Sequence, residues 1–299
     1  MDRELPTPRQ KAFMANIQHI LFPYDFSKAG QLASRFVRTT AQKFDAKVTL
    51  MAVMPPIWNV PPMGVPGMVM VDEQQMETEL KARLDRALTA EFAGLCVQRL
   101  TDRGDPAVSI VEFARTASVD LIMMPTHGFG IFRGLLIGSV TAKVLHDAKC
   151  PVWTATHAEE QHARDLPGTV VCAVDGGPRT CELIQWAAKF SRQMGSSLKL
   201  LHVVPPISDW LTLPSERELQ EQVREEARTK IERLRAAAGV DVPLRVAVGP
   251  ITETVTEESR QEAADLVIVG RGTLQATLGR LRTHAYGIVQ TSPCPVLSV

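Results

Sequence analysis

The chain reads as an α/β protein built as two tandem doubly wound five-stranded parallel sheets. Three observations lead there. The apolar runs are short, continuous and rich in Val, Ile and Leu, as in Ile20-Leu21-Phe22 and Val170-Val171-Cys172-Ala173-Val174. They do not alternate with polar residues, which is how strands covered on both faces of a parallel sheet read. Helical stretches separate them, so each half runs β-α-β-α-β-α-β-α-β with right-handed crossovers. The whole order then occurs twice: Cys150-Pro151-Val152 returns as Cys294-Pro295-Val296.

Taken in order, the first strand ends at Pro23-Tyr24-Asp25 and its counterpart at Val174-Asp175. The second strands, Lys47 onward and Leu198 onward, are each followed by Pro-Pro (Pro55-Pro56, Pro205-Pro206). Met76, Leu80, Leu84 and Leu88 recur at helical spacing before Gly94, and Leu219, Val223, Ala227, Ile231 and Leu234 do so within residues 216–238, stopped by Gly239. Gly104-Asp105-Pro106 opens the third helix, and Asp120-Leu121-Ile122 and Asp265-Leu266-Val267 begin the fourth strands. The closing strands, Val152-Trp153-Thr154 and Val296-Leu297-Ser298-Val299, read as short edge strands, and a bare edge invites pairing. The domains read as a tail at 1–14, a first domain at 15–156, a linker at 157–167 and a second domain at 168–299. Two domains match the length prior for 299 residues.

Composition excludes several classes. Lys+Arg and Asp+Glu balance at 33 each, so the chain carries no electrostatic footprint for nucleic acid or an anionic membrane. No apolar run is long enough to span a bilayer, and residues 1–14 lack the apolar core of a signal peptide. Five cysteines without a CxxC fit a reducing cytoplasm rather than a disulfide frame. Cys150 and Cys294, each before a proline at a strand start, read as small apolar fillers.

The most informative segment follows the fourth strand. Pro125-Thr126-His127-Gly128 begins a glycine-rich loop that runs through Gly134 to Gly138-Ser139-Val140-Thr141, the start of an amphipathic helix. A loop of this kind entering a helix N-terminus from a parallel strand is built to receive phosphate, because glycines let the backbone approach and first-turn N–H groups point at the anion. Gly128, Gly130 and Gly134 superficially suggest a dinucleotide cue, but the loop comes after the fourth strand and lacks the acidic partner, so a Rossmann dehydrogenase is rejected. No Walker-type GxxxxGK[ST] exists.

The combination of Pro23-x-Asp25-Phe26-Ser27, Gly104-Asp105-Pro106, Thr126-His127-Gly128, Gly128-x9-Gly138-Ser139 and the closing Cys150-Pro151-Val152 resembles the universal stress protein family in tandem form, over nearly all of residues 17–299. The resemblance implies the adenine nucleotide alpha hydrolase-like, flavodoxin-like topology, with strand order 3-2-1-4-5 in each half, and an adenine nucleotide, ATP with Mg2+, as ligand. It implies adenine contacts at Asp25 and Val53, and phosphate contacts at Gly128, Gly138, Ser139 and Val140, with Pro23 and Thr126 beside them. It also implies that the two halves pair through their last strands as an internal pseudo-dimer, and it leaves a further homodimer open. The implied setting is a cytoplasmic stress response.

Two departures stand out. Pro125 occupies the first glycine of the family's Gly-x2-Gly-x9-Gly-Ser/Thr pattern; it has no N–H and a fixed φ, and only its carbonyl survives. In the second half Gly270 and Gly272 remain, but Arg282-Thr283 replaces Gly138-Ser139, and a side chain there fills the space that glycine leaves to phosphate. A second site would use Asp175, Val203, Gly270, Gly272 and Thr283, and is expected to be degenerate.

Each sharp reading has a plain competitor. Asp25 serves equally as a helix cap shared with Ser27, and both roles can hold at once. His127 lacks a nucleophile or metal-spaced partner and reads as a loop histidine; His202 reads as a satisfied strand histidine; Arg133 reads as solvated. The proline-rich segments at 55–71 and 205–214 form either lids or packing surfaces, and Trp58, Met63, Met68 and Met70 favour packing. No catalytic residue and no metal ligand is identified, so hydrolysis is expected to be slow at most. The competing function is a nucleotide-independent dimerisation and partner-binding scaffold, favoured by Pro125 and Arg282 and opposed by Gly128, Gly138 and Ser139. An ATP-using adenylating enzyme would need a phosphate loop straight after the first strand, where Asp175-Gly176-Gly177-Pro178 offers only an echo.

Overall fold

The computed structural model describes residues 16–56, 72–126, 137–155, 166–207, 214–271 and 280–299. The first half runs β1 (His19–Pro23), α1 (Lys28–Phe44), β2 (Lys47–Met54), α2 (Glu73–Arg86), β3 (Val97–Arg103), α3 (Pro106–Thr116), β4 (Leu121–Pro125), α4 (Ser139–Asp147) and β5 (Val152–Ala155). The second runs β6 (Thr169–Ala173), α5 (Thr180–Met194), β7 (Ser197–Val204), α6 (Pro214–Ala237), β8 (Leu244–Val248), α7 (Ile251–Gln261), β9 (Leu266–Val269), α8 (Arg280–Thr291) and β10 (Val296–Ser298).

All ten strands join one sheet in the order β3-β2-β1-β4-β5-β10-β9-β6-β7-β8. Each half is parallel in the order 3-2-1-4-5. The two closing strands, each the edge of its own half, meet at the centre as the resemblance implied: β5 and β10 pair antiparallel with Trp153 opposite Leu297. These two residues hold the same place in the repeat, so the pseudo-two-fold axis passes through their pair. Antiparallel pairing sets the carboxyl ends of the two halves on opposite rims of the sheet.

Alternate residues of a strand point to opposite faces, and both faces are covered. Phe22, Leu50, Trp153, Trp186 and Leu297 belong to one apolar cluster. Leu21, Ile122, Val144, Val267 and Val296 belong to the other. Each cluster draws on both halves, so the core continues across the seam. Phe44 of α1 stacks on Phe190 of α5 with centroids 5.7 Å apart, and the Thr154 hydroxyl donates to the Val296 carbonyl at 3.1 Å.

The repeated Asp-Leu pair has a physical cause. Asp120 Oδ2 accepts from the N–H groups of Gln18 and His19, at 2.9 and 3.0 Å. Asp265 Oδ2 accepts from Gly168 and Thr169, at 2.8 and 2.9 Å. Each carboxylate satisfies the otherwise orphaned donors where the neighbouring first strand begins.

One apolar periodicity outran its helix and the other outran the sheet. α2 ends at Arg86, and Leu88 sits beyond it at φ 54°, buried by the turn rather than by the helix. α6 is 24 residues long, about 36 Å at 1.5 Å per residue, against eight residues in β7. Ile231 is fully buried, whereas Leu219 is 47% exposed: the apolar stripe continues past the sheet that would cover it.

Candidate functional site

β1 pairs β2 with Pro23 opposite Met51, and β1 pairs β4 with Leu21 opposite Ile122. This register brings Asp25, Val53 and Thr126, each just past that level, to one rim of the sheet. In an open parallel sheet a ligand sits at this rim, where the strand order reverses between β1 and β4.

Asp25 is exposed, and its Oδ1 accepts from the Ser27 N–H at 3.0 Å. Ser27, not Asp25, is the N-cap of α1: its hydroxyl accepts from Gly30 N–H at 3.0 Å. The turn between them puts Phe26 at φ 62°. The Phe26 ring lies under the Arg83 guanidinium, 4.1 Å from its centroid. Pro23 and Val53 are half-buried, and Val53 packs on the second apolar cluster.

The end of β4 is stitched to the start of α4 by two bonds. Gly138 N–H donates to the Thr126 carbonyl at 2.9 Å. The buried Thr141 hydroxyl donates to the Pro125 carbonyl at 3.0 Å. The carbonyl that sequence left available at Pro125 is therefore engaged by the helix. Thr126 is buried, so its part is to hold α4 by its backbone. Gly138 is the N-cap of α4 and provides no side-chain cap. The first-turn N–H groups, at the exposed Ser139 and the half-buried Val140, have no intrahelical acceptor by helix geometry. Gly138 has φ −56° and ψ 145°, a conformation open to any residue, so what glycine contributes there is space. Gly128, His127 and Arg133 lie outside the described residues.

The corresponding rim of the second half is built differently. Asp175 Oδ1 accepts from Gly177 N–H at 2.8 Å and from the Thr180 hydroxyl at 3.0 Å. Gly176, at φ 72°, stands where Phe26 stands in the first half. Val203 is buried. Gly270 packs closely on α5: a Cβ there would come within 3.2 Å of Leu183 Cδ2. Gly272 lies outside the described residues; Arg282 and Thr283 fall within α8, and their side chains are likewise outside. His202 is satisfied, with Nδ1 2.7 Å from the Val174 carbonyl oxygen.

One residue was missed by sequence. Arg271 matches Thr126 in the repeat, since Asp265 matches Asp120. Its guanidinium leaves its own domain and donates to the carbonyls of Ala148, at 2.7 Å, and Cys150. The signal was there: a long cation where the other half has a threonine.

Among the described residues no group of three or more His, Cys, Asp or Glu could hold a metal ion, and no helix is long and apolar enough to cross a membrane. All five cysteines are thiols. Burial pushes the Cys172 thiol up to about 12 and, against the nearby Arg271 charge, the Cys150 thiol up to about 11; neither is a nucleophile at neutral pH.

The model of the universal stress protein family matches residues 16–155 and again residues 168–299. A universal stress protein from Mycolicibacterium smegmatis is 28% identical over 293 residues, covering 94% of this chain and 96% of that protein. A universal stress protein from Methanocaldococcus jannaschii is 32% identical over 135 residues, covering 44% of this chain and 78% of its own length. Among solved structures, that of a universal stress protein from Archaeoglobus fulgidus superimposes with a TM-score of 0.65 at 19% identity, covering 96% of this chain and 97% of that one. With two family matches, a relative aligned along almost its full length and one sheet assembled from two like halves, the chain belongs to the universal stress protein family, in its tandem form.

Proposed function

We propose that the first domain, residues 15–156, binds one adenine nucleotide, ATP with Mg2+, and that the second, residues 168–299, does not. Binding serves as a signal or a structural support in a cytoplasmic stress response. The observation that carries this reading is α4: its N-terminus has no side-chain cap and is fixed to β4 by the Gly138 and Thr141 bonds. A fixed helix N-terminus at the ligand rim is suited to phosphate. Asp25 and Val53 lie along the same rim and would take the nucleoside, with Thr126 holding the helix, Gly128, Gly138, Ser139 and Val140 meeting the phosphates, and Pro23 beside them. Phosphoryl transfer needs a positioned base and metal ligands; no described residue is set up for either role, so hydrolysis would be slow. Five thiols suit a reducing compartment.

For the second domain the scaffold reading is better supported, because Arg271, at the root of its loop, is spent on carbonyls of the other half. The test is to denature the purified chain and identify released small molecules by mass spectrometry, then titrate the emptied protein with Mg-ATP. About one nucleotide per chain supports the proposal. Two per chain refutes the degenerate second site. An empty chain without a thermal shift in Mg-ATP makes the whole protein a nucleotide-independent scaffold.

A further inference from the structure

We infer that Arg271 is a positioning residue for the first domain's nucleotide site, acting from the second domain through helix α4. The inference rests on the nucleotide reading above and names how the second half regulates it.

The geometry is one-sided. Arg271 leaves the end of β9, with its own N–H bound to the Val299 carbonyl at 2.9 Å. Its guanidinium then crosses to Ala148, the C-cap of α4, and to Cys150 just before β5. Carbonyls at a helix C-terminus lack intrahelical donors and carry the negative end of the helix dipole, so a cation is well placed there. The chain uses the same device inside the first domain. Arg99 of β3 donates to the carbonyls of Leu84 and Ala87 at the end of α2, at 3.0 and 2.9 Å. The difference is that Arg271 spans two domains. Its repeat partner Thr126 is too short to return the contact, so this particular grip runs from the second domain to the first only.

α4 spans nine residues, about 13 Å at 1.5 Å per residue. The Arg271 grip is at one end and Gly138-Ser139-Val140 at the other. A short helix pinned at its C-terminus presents its N-terminal N–H groups in one place. A helix that frays or slides loses that placement, and phosphate contacts are sensitive to shifts of an ångström. By linkage, whatever Arg271 contributes to nucleotide affinity, nucleotide must return as tighter holding of Arg271.

The experiment uses the full chain and three measurements. Amide hydrogen exchange is followed in wild type and Arg271→Met, without nucleotide; Mg-ATP affinity is measured for both by calorimetry; and wild-type exchange is repeated with saturating Mg-ATP. The expected results are exchange about tenfold faster at residues 144–148 in Arg271→Met, Mg-ATP affinity about tenfold weaker, and slower exchange of the Arg271 and Val299 amides when wild type binds Mg-ATP. Arg271→Lys, which keeps the charge but loses the planar fork, should fall between, and it stands in if Arg271→Met does not fold. Unchanged exchange at 144–148 overturns the clamp. Faster exchange with unchanged affinity overturns its role in positioning, as does a wild-type Arg271 amide indifferent to bound nucleotide. A wild type that binds no Mg-ATP overturns the nucleotide reading and with it the positioning role, while the 144–148 exchange alone then decides whether the clamp stands.

Discussion

At the end of β4, Thr126 turns its carbonyl to Gly138 and keeps the first domain's loop root at home. At the matching end of β9, Arg271 sends its guanidinium across the seam. Thr141 stitches α4 to Pro125, whereas Ala285, in its place on α8, has no hydroxyl to do so. Phe26 fills the turn after β1 under Arg83; Gly176, at the equivalent place, lines a groove of about 840 Å³ with Lys230 and Arg233. The strand order is the same in both halves, down to the Asp120 and Asp265 carboxylates where the first strand of each half begins. Beyond the longer α6 of the second half, much of the divergence lies in side chains at the rims. A repeat can therefore keep its fold with both copies and let one copy's ligand rim drift into a structural part.

The largest expected effect joins the halves rather than separating them. Phe190 is buried between Trp186 and Phe44, so Phe190→Ala removes a core ring and the aromatic bridge together. It should cost about 3–5 kcal/mol. Denaturant unfolding, followed by probes in each half, should change from one transition to two. A single transition at unchanged midpoint would mean that the seam does not depend on this stack.

Next in size is the contrast in ligand binding. Gly138→Arg installs the second domain's residue in the first. Because Gly138 has φ −56°, the change should move apo stability by less than about 0.5 kcal/mol. Mg-ATP affinity should fall more than a hundredfold, about 2.7 kcal/mol. Wild-type affinity in that variant would remove α4 from the phosphate site.

The Thr141 stitch should be worth less. Thr141→Val leaves the buried Pro125 carbonyl without its donor, at about 1–3 kcal/mol, and thermal unfolding would measure it. Asp175 holds two donors where Asp25 holds one described donor. Asp175→Ala should therefore destabilise more than Asp25→Ala, by about 0.5–1.5 kcal/mol, and the reverse order would mean that Asp25 has a larger structural role than its exposed carboxylate suggests.

The strand runs were legible because buried parallel strands write themselves as unbroken apolar runs and because the repeat shows the same run twice; their order and the internal pairing came with the family resemblance. Helix ends were less legible. Leu88 keeps the helical spacing although the helix stops at Arg86, since a turn can bury a leucine as well as a helix can. The rim residues were found by resemblance, and Asp25, Val53, Thr126 and Gly138 do come to one rim. What they bond to was not readable. That the Pro125 carbonyl meets Thr141, sixteen residues on, depends on where α4 enters. Arg271 carries no motif in the sequence; only the antiparallel seam brings Ala148 and Cys150 within its reach.

The smallest effect distinguishes the two strands that begin the halves. β1 starts at His19, where β6 starts at Thr169. His19 is buried, with Nε2 2.8 Å from the Thr49 hydroxyl and Nδ1 3.3 Å from the Ala117 carbonyl. Burial, and then the charge of Lys47, lower its pKa below 6.5, only partly offset by the Ala117 carbonyl and Asp120. A base whose pKa falls on folding is more protonated unfolded than folded in the window between the two values. Stability therefore declines as pH falls from about 6.5 toward the folded value, and is unaffected above it. His19→Gln keeps hydrogen-bonding groups at this place and removes the titration. Its stability should vary less between pH 7 and pH 5 than that of wild type, by about 1 kcal/mol or less, in urea titrations at each pH. Equal slopes would show that the acid sensitivity of the first half arises elsewhere, and that β1 and β6 begin their halves on the same electrostatic terms.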